Sequence, residues 1–224
     1  MKRRTLDVII AAGGLVVALL LGVLGYALNG EHVFATEYVK TELAAQQIAF
    51  ATADKLTDAE KSWKPGSTCL TTYAGQAMQT GAQAECYAKY YIREHMATSA
   101  ITAGFPGATY ATLGGIRTDL TAQVTAAKAK GDTAAADAAQ KKFDAATALR
   151  TTMQTGEGLA GMLLTVYGFA VIGDKAELAG NILYGLAAIM LVVALAGFVH
   201  AYVTPRDKVI LAQVNLPSQV PSRA

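Results

Sequence analysis

The chain has little of what chemistry usually requires. It has three histidines, two cysteines and a single tryptophan, and only 16% of its residues are charged. The histidines, His32, His95 and His200, are scattered, with no HExxH and no Cys/His cluster of metal-ligand spacing. There is no GxSxG elbow and no Walker loop. The Gly-Gly pairs at 13–14 and 114–115 lack the strand–turn–helix setting of a nucleotide fold. Nothing in the chain argues positively for an enzyme, and the expectation is no catalytic, cofactor-binding or metal-binding residue.

Charge of one sign is lacking too. Between Glu31 and Lys175 there are 13 Lys/Arg against 14 Asp/Glu, and the small basic excess lies at the two ends. A nucleic-acid surface needs a basic patch, so none is expected.

Two apolar runs are present, and they set the organisation. Leu178–Tyr202 passes 25 residues without an Asp, Glu, Lys or Arg. As a helix it is about 37 Å long, enough to cross a hydrocarbon core of about 30 Å with some tilt. Val8–Leu28 is the second run, of 21 residues. The expected class is an all-α membrane protein in which two transmembrane helices flank an extracytoplasmic helical domain. The segments are 1–7 (cytoplasmic start), 8–28 (first span), 29–176 (domain), 177–202 (second span) and 203–224 (cytoplasmic tail).

Lys2, Arg3 and Arg4 precede the first span, and Arg206 and Lys208 follow the second. Basic flanks favour the cytoplasmic side, so both termini are expected there, in the plasma membrane. A secretory signal peptide opens in the same way. The first run is longer than a signal h-region and no Ala-x-Ala site follows it, so an uncleaved anchor is expected. Neither run carries a charge at its centre, which argues against an ion path through this chain alone. Gly14, Ala18 and Gly22 recur every four residues in the first run, with Gly25 near the same face. Small residues at that spacing admit a close helix, either the second span or another protein.

Within the domain, Phe34, Tyr38, Val39, Leu43 and Ile48 fall at helical spacing, so the first span is expected to continue outward. Lys64-Pro65-Gly66-Ser67 is a breaker. Cys69 and Cys86 are 17 positions apart, and outside the cytoplasm such a pair can oxidise. Closing that loop would stabilise the domain by about 3 kcal/mol in the chain-entropy view. Gly81–Ala103 reads as a helix whose face runs through Ala84, Ala88, Tyr91, Ile92 and His95. Thr109–Lys130 is a second, with Leu113, Ile116, Leu120 and Val124 on one side. Thr133–Met153, started by Asp132 or Thr133, is Ala-rich and is expected to have little to bury.

Gly158–Ile172 has 15 residues without a charge, which is short for a span. A third span would leave only 173–177 as a loop and would put Arg206 and Lys208 outside. Two spans are expected, with 158–172 an apolar core or interfacial helix leading into the second. The tail contains Pro205, Pro217 and Pro221 around VILAQVNL, too short to span, and is expected to be held by a neighbouring subunit if it is ordered.

Several stretches together resemble a known family. They are LAAQQIAF at 43–50, TYAGQ at 72–76, GAQAECYAKYYIREHM at 81–96 and GEGLAGMLLTVYGFAVIGDKAELAGNILY at 156–184. With the basic start and anchor, they look like the respiratory supercomplex association factors, small actinobacterial membrane proteins. The resemblance covers most of the chain apart from the Ala-rich arm near 119–150. It implies an accessory or assembly subunit beside the cytochrome bcc complex and the haem-copper oxidase, in contact with membrane lipids. Haem, copper and menaquinone would then belong to the partner subunits and none to this chain. The family brings no catalytic residues to carry over. Some members are described as ring-opening dioxygenases, a chemistry that needs a metal-ligand cluster this sequence does not offer. A different class of function, a stand-alone cell-envelope sensor or ligand-binding protein, would use an apolar cleft between helices of the domain.

Overall fold

A computed structural model describes residues 2–62 and 68–205. Trp63, the Lys64–Ser67 breaker and the tail from Arg206 lie outside these residues. The described chain is helical, with one isolated antiparallel bridge pairing Ala49 with Ala77. Helices α1 (Arg3–Ala45), α2 (Asp58–Ser62), α3 (Thr68–Thr72) and α4 (Gly81–Cys86) come first. A π-helical turn, π1 (Tyr87–Ile92), follows, then α5 (Arg93–Thr102), α6 (Tyr110–Ala129) and α7 (Thr133–Val203). Contacts divide the chain into two units, one of Val33–Gly173 and one of Met1–His32 with the chain from Asp174 onward. The first of these lies slightly inside the 29–176 span expected for the domain.

The Val33–Gly173 unit is a helical domain with one core. Val39 and Leu43 of α1 enter it, but Ile48 lies beyond the helix end and is only partly buried. The helix stops because Gln47 turns to a φ of 53°, and Ile48 is then tied through its carbonyl to the Met78 N–H at 2.8 Å. Leu70, Met78 and Leu113 are the largest fully buried side chains. Burial of each removes enough apolar surface to contribute roughly 1.5–3 kcal/mol. A disulfide joins Cys69 of α3 to Cys86, the last residue of α4.

Local chemistry sets the helix ends. Thr80 and Gln83 form a reciprocal capping box at the start of α4, and Thr109 and Thr112 do the same for α6. Helix α5 closes with paired bonds, Phe105 N–H to Ala100 and Gly104 N–H to Ile101, around left-handed Gly104. Helix α6 repeats the motif around Gly131, whose φ is +71°. There the Asp132 N–H bonds Ala127 while its carboxylate accepts the Ala135 N–H at 2.9 Å. Asp132 thus ends one helix and caps the next, and α6 and α7 form a tight hairpin.

The Ala-rich arm is not short of burial. Ala136, Ala139, Ala146, Leu149 and Met153 of α7 are buried. Alanine lets two helices approach closely enough that methyl groups fill the seam, so large apolar residues are not needed. Arg117 reinforces this hairpin by donating to Thr147 Oγ1 at 2.9 Å and lying over the Phe143 ring at 5.1 Å.

The run 158–172 is an internal stretch of α7, with no turn between it and Leu178. It buries Ala160 and Leu163 while Met162 and Ile172 remain exposed. The described residues contain two helices long and apolar enough to cross a membrane, α1 and α7.

In the other unit the apolar segments of α1 and α7 pack antiparallel. On α1, Ala11, Ala18 and Gly25 are buried at a seven-residue interval, with His32 half-buried one step further. On α7, Gly180, Ala194 and Ala201 are buried in the same register, with Ala187 half-buried between them. That is the period of a left-handed helix pair, not the every-four stripe expected from the sequence. Gly14 and Gly25 lie on the seam: a methyl on Gly14 would sit 3.5 Å from the Ala194 Cβ, and one on Gly25 3.0 Å from the Gly180 carbonyl oxygen. Gly22 does not take part in the close approach, because a methyl there would meet nothing within 4 Å. The outward faces are apolar, with Leu19, Val23, Ile189 and Val192 exposed.

Candidate functional site

The chemically distinctive place in the domain lies beside π1. Ala84, Ala88, Ile92, Met96 and Ala100 are all buried, a succession of four-residue steps. An α-helix turns such a row steadily out of the core, since 3.6 residues complete a turn. A π turn, with its i→i+5 bonds, is wider and holds the row in line. The expected face through Tyr91 and His95 is therefore displaced. Ile92 and Met96 take the core, while Tyr91 and His95 turn to the side.

On that side Phe50, Tyr87, Tyr91 and His95 form a chain of ring contacts, edge-on from Phe50 to Tyr87 and stacked from Tyr87 to Tyr91. Ring centroids are 5.4 Å apart from Phe50 to Tyr87, 4.5 Å from Tyr87 to Tyr91 and 4.2 Å from Tyr91 to His95. Burial, followed by the Tyr91 phenol as neighbour and hydrogen-bond partner, pushes the Tyr87 hydroxyl up to about 12. His95 Nδ1 lies 2.9 Å from the Tyr91 carbonyl oxygen. A carbonyl only accepts, so Nδ1 carries a proton toward it. Behind His95 stands Glu60, only 4% exposed, its Oε1 3.8 Å from Nδ1. Glu60 Oε2 accepts from the Thr57 N–H at 2.7 Å and the Thr57 hydroxyl at 2.8 Å.

This wall faces the 151–159 stretch of α7 across an open cleft of about 470 Å³. Ile92, Met96 and Leu159 supply its apolar lining, and Ser99, Thr151, Thr152 and Thr155 its polar lining. Gly156 keeps the walls close, since a methyl there would overlap Met96. A second hollow of about 370 Å³ shares Ser99 and Thr152 with the first, so the two adjoin.

The other histidines are elsewhere. His32 lies between Asp174, at 3.8 Å, and Glu177, at 3.6 Å. His200 Nδ1 is 3.1 Å from Asp7. Among the described residues no group of three or more His, Cys, Asp or Glu is arranged to hold a metal ion. The disulfide is adjacent to the cleft in sequence, because Cys86 immediately precedes π1. The sequence offers an apolar cleft between helices as an alternative but does not place it at these residues. Its signal was the row of four-residue steps from Ala84 to Ala100.

A second surface of the domain is apolar and open. Phe34, Tyr38 and Phe169 form a mutual aromatic cluster with centroids 5.8–6.4 Å apart. Phe34 is 58% exposed and Met162 70%. A hollow of about 270 Å³ lies between Tyr38 and Met162, floored by Leu43 and Leu163.

Comparison of the chain with protein-family models, with curated proteins and with solved structures returned no match.

Proposed function

We propose that this chain is a non-catalytic accessory or assembly subunit of a membrane complex, held by two spans and working through a helical domain on the extracytoplasmic side. The observation that carries the reading is the open aromatic face of Phe34, Tyr38, Phe169 and Met162. Along α1 this face lies past Glu31, and along α7 it lies before Asp174, Lys175 and Glu177. Those charges favour water or headgroups, so hydrocarbon is not the natural cover for apolar side chains beyond them. Contiguous exposed aromatic and methionine surface of this kind marks a protein contact. The basic residues at 2–4, 206 and 208 support cytoplasmic termini.

The family resemblance of 43–50, 72–76, 81–96 and 156–184 directs the proposal to the cytochrome bcc–haem-copper oxidase supercomplex. Electron transfer would be carried by haem, copper and menaquinone of the partners, and this chain would contribute binding surface. The test is to tag the chain, extract membranes in mild detergent and analyse what co-purifies. Cytochrome oxidase subunits are expected with the wild type. Phe34→Ser combined with Met162→Ser is expected to lower their recovery at least tenfold with helix content unchanged. Recovery of the wild-type chain alone, from membranes whose supercomplex stays intact, overturns the reading.

A further inference from the structure

We propose that the cleft between π1–α5 and the 151–159 stretch of α7 is a binding site for a hydroxyl-rich ring, a saccharide or cyclic polyol, taken up either free or as the head of a glycolipid.

The argument rests on where the protons of the lining groups already are. Ser99 Oγ donates to the His95 carbonyl at 2.8 Å. Thr151 donates to Thr147, Thr152 to Ala148 and Thr155 to Thr151, at 3.1–3.3 Å. Each hydroxyl has thereby committed its one proton to the helix backbone, and what remains toward the cleft is lone pairs. Thr102, lining the second hollow, donates to Thr98 at 3.0 Å. The serine and threonine hydroxyls of the two hollows therefore present acceptors from both walls, beside the Tyr87 and Tyr91 phenols of the first.

A ligand suited to them must bring several donors close together. It must also bring an apolar face for Ile92, Met96 and Leu159. A sugar ring does both, with hydroxyls around its edge and C–H groups on its faces. An anion does not fit, because acceptors and the buried Glu60 carboxylate behind His95 repel it. A purely apolar ligand would leave the lone pairs desolvated and unpaired. The first hollow, at about 470 Å³, suits a small ligand of one or two rings, since typical sites occupy roughly 300–1,000 Å³.

The experiment uses the full purified chain in nanodiscs, with its disulfide intact and no partner protein present, so its outcome is separate from that of the co-purification test. Methyl glucoside and its tetra-O-methyl derivative are titrated side by side by calorimetry. The derivative keeps the ring and removes every donor. A parallel arm compares phosphatidylcholine nanodiscs with and without monoglucosyl diacylglycerol, scored by native mass spectrometry. The expected result is saturable binding of the free sugar, of the glycolipid, or of both, with at least tenfold loss for the methylated sugar. Thr152→Val with Thr155→Val, which keeps shape and removes two acceptors, is expected to weaken binding at least tenfold at unchanged melting temperature. If that pair unfolds the domain, Ser99→Ala with the two sugars decides. No binding in either arm, or equal binding of the methylated sugar, overturns the proposal.

Discussion

Gly25 and Gly180 face each other across the helix pair with no side chain between them: a methyl on either would stand 3.0 Å from the other's carbonyl oxygen. A methyl on Gly180 would also overlap the Asn29 amide, which donates to the Gly25 carbonyl at 3.0 Å. The carbonyl is backbone and cannot swing away, and the Asn29 amide can do so only by giving up its bond to Gly25. Gly180→Leu is expected to destabilise the pair by about 1–3 kcal/mol, the usual range for overpacking. Gly22→Leu, facing open space, is expected to leave it unchanged. Thermal unfolding in detergent, followed by circular dichroism, compares the two.

The same distinction separates two glycines of the domain. A methyl on Gly81 would overlap Ala170 Cβ and sit 3.4 Å from the Tyr167 Cα, neither of which can rotate aside. A methyl on Gly156 would overlap the flexible end of Met96. Gly81→Ala is therefore expected to cost about 1–3 kcal/mol and Gly156→Ala less, because Met96 has other rotamers. Denaturant unfolding of the two variants against wild type gives the order, and equal costs would contradict it.

Tyr87 provides a pH signature. Its folded-state value is raised from 10.0 to about 12, first by burial and then by Tyr91. Between those values the unfolded chain has released the proton and the folded chain still holds it. The stabilisation is complete below about pH 10 and is lost as pH rises toward 12. An ultraviolet titration of phenolate should show a late-ionising tyrosine that is missing from Tyr87→Phe and moves down in Tyr91→Phe. An unchanged curve in Tyr87→Phe would remove Tyr87 as its source.

The Cys69–Cys86 bond fixes the residue before π1 to α3. Cys69→Ser with Cys86→Ser is expected to lower domain stability by about 3 kcal/mol, mainly by freeing the unfolded chain. If the bond also holds the π turn, hydrogen exchange should rise first at Tyr87–Ile92. Uniform loss of protection through the domain would instead show a purely global effect.

The sequence by itself determined the helical class, the two long apolar runs, the bonding partner for each cysteine, and the break between α6 and α7. These depend on local composition, capping residues such as Asp132, and the absence of any third cysteine. Only the tertiary structure decided the rest. Gly14, Ala18, Gly22 and Gly25 look alike along one helix, and the seven-residue seam that includes Gly25 and omits Gly22 exists only once α7 supplies Gly180 and Ala194. Whether the alanine arm buries its methyls depends on a facing helix, which propensity does not encode. The π turn is the sharpest case. Ala84, Ala88, Ile92, Met96 and Ala100 fit one face only if the helix widens, and packing against the core provides the reason for it to do so. That widening sets Tyr91 and His95 beside the threonines of α7, residues some sixty positions away in the chain and joined to them only by the fold.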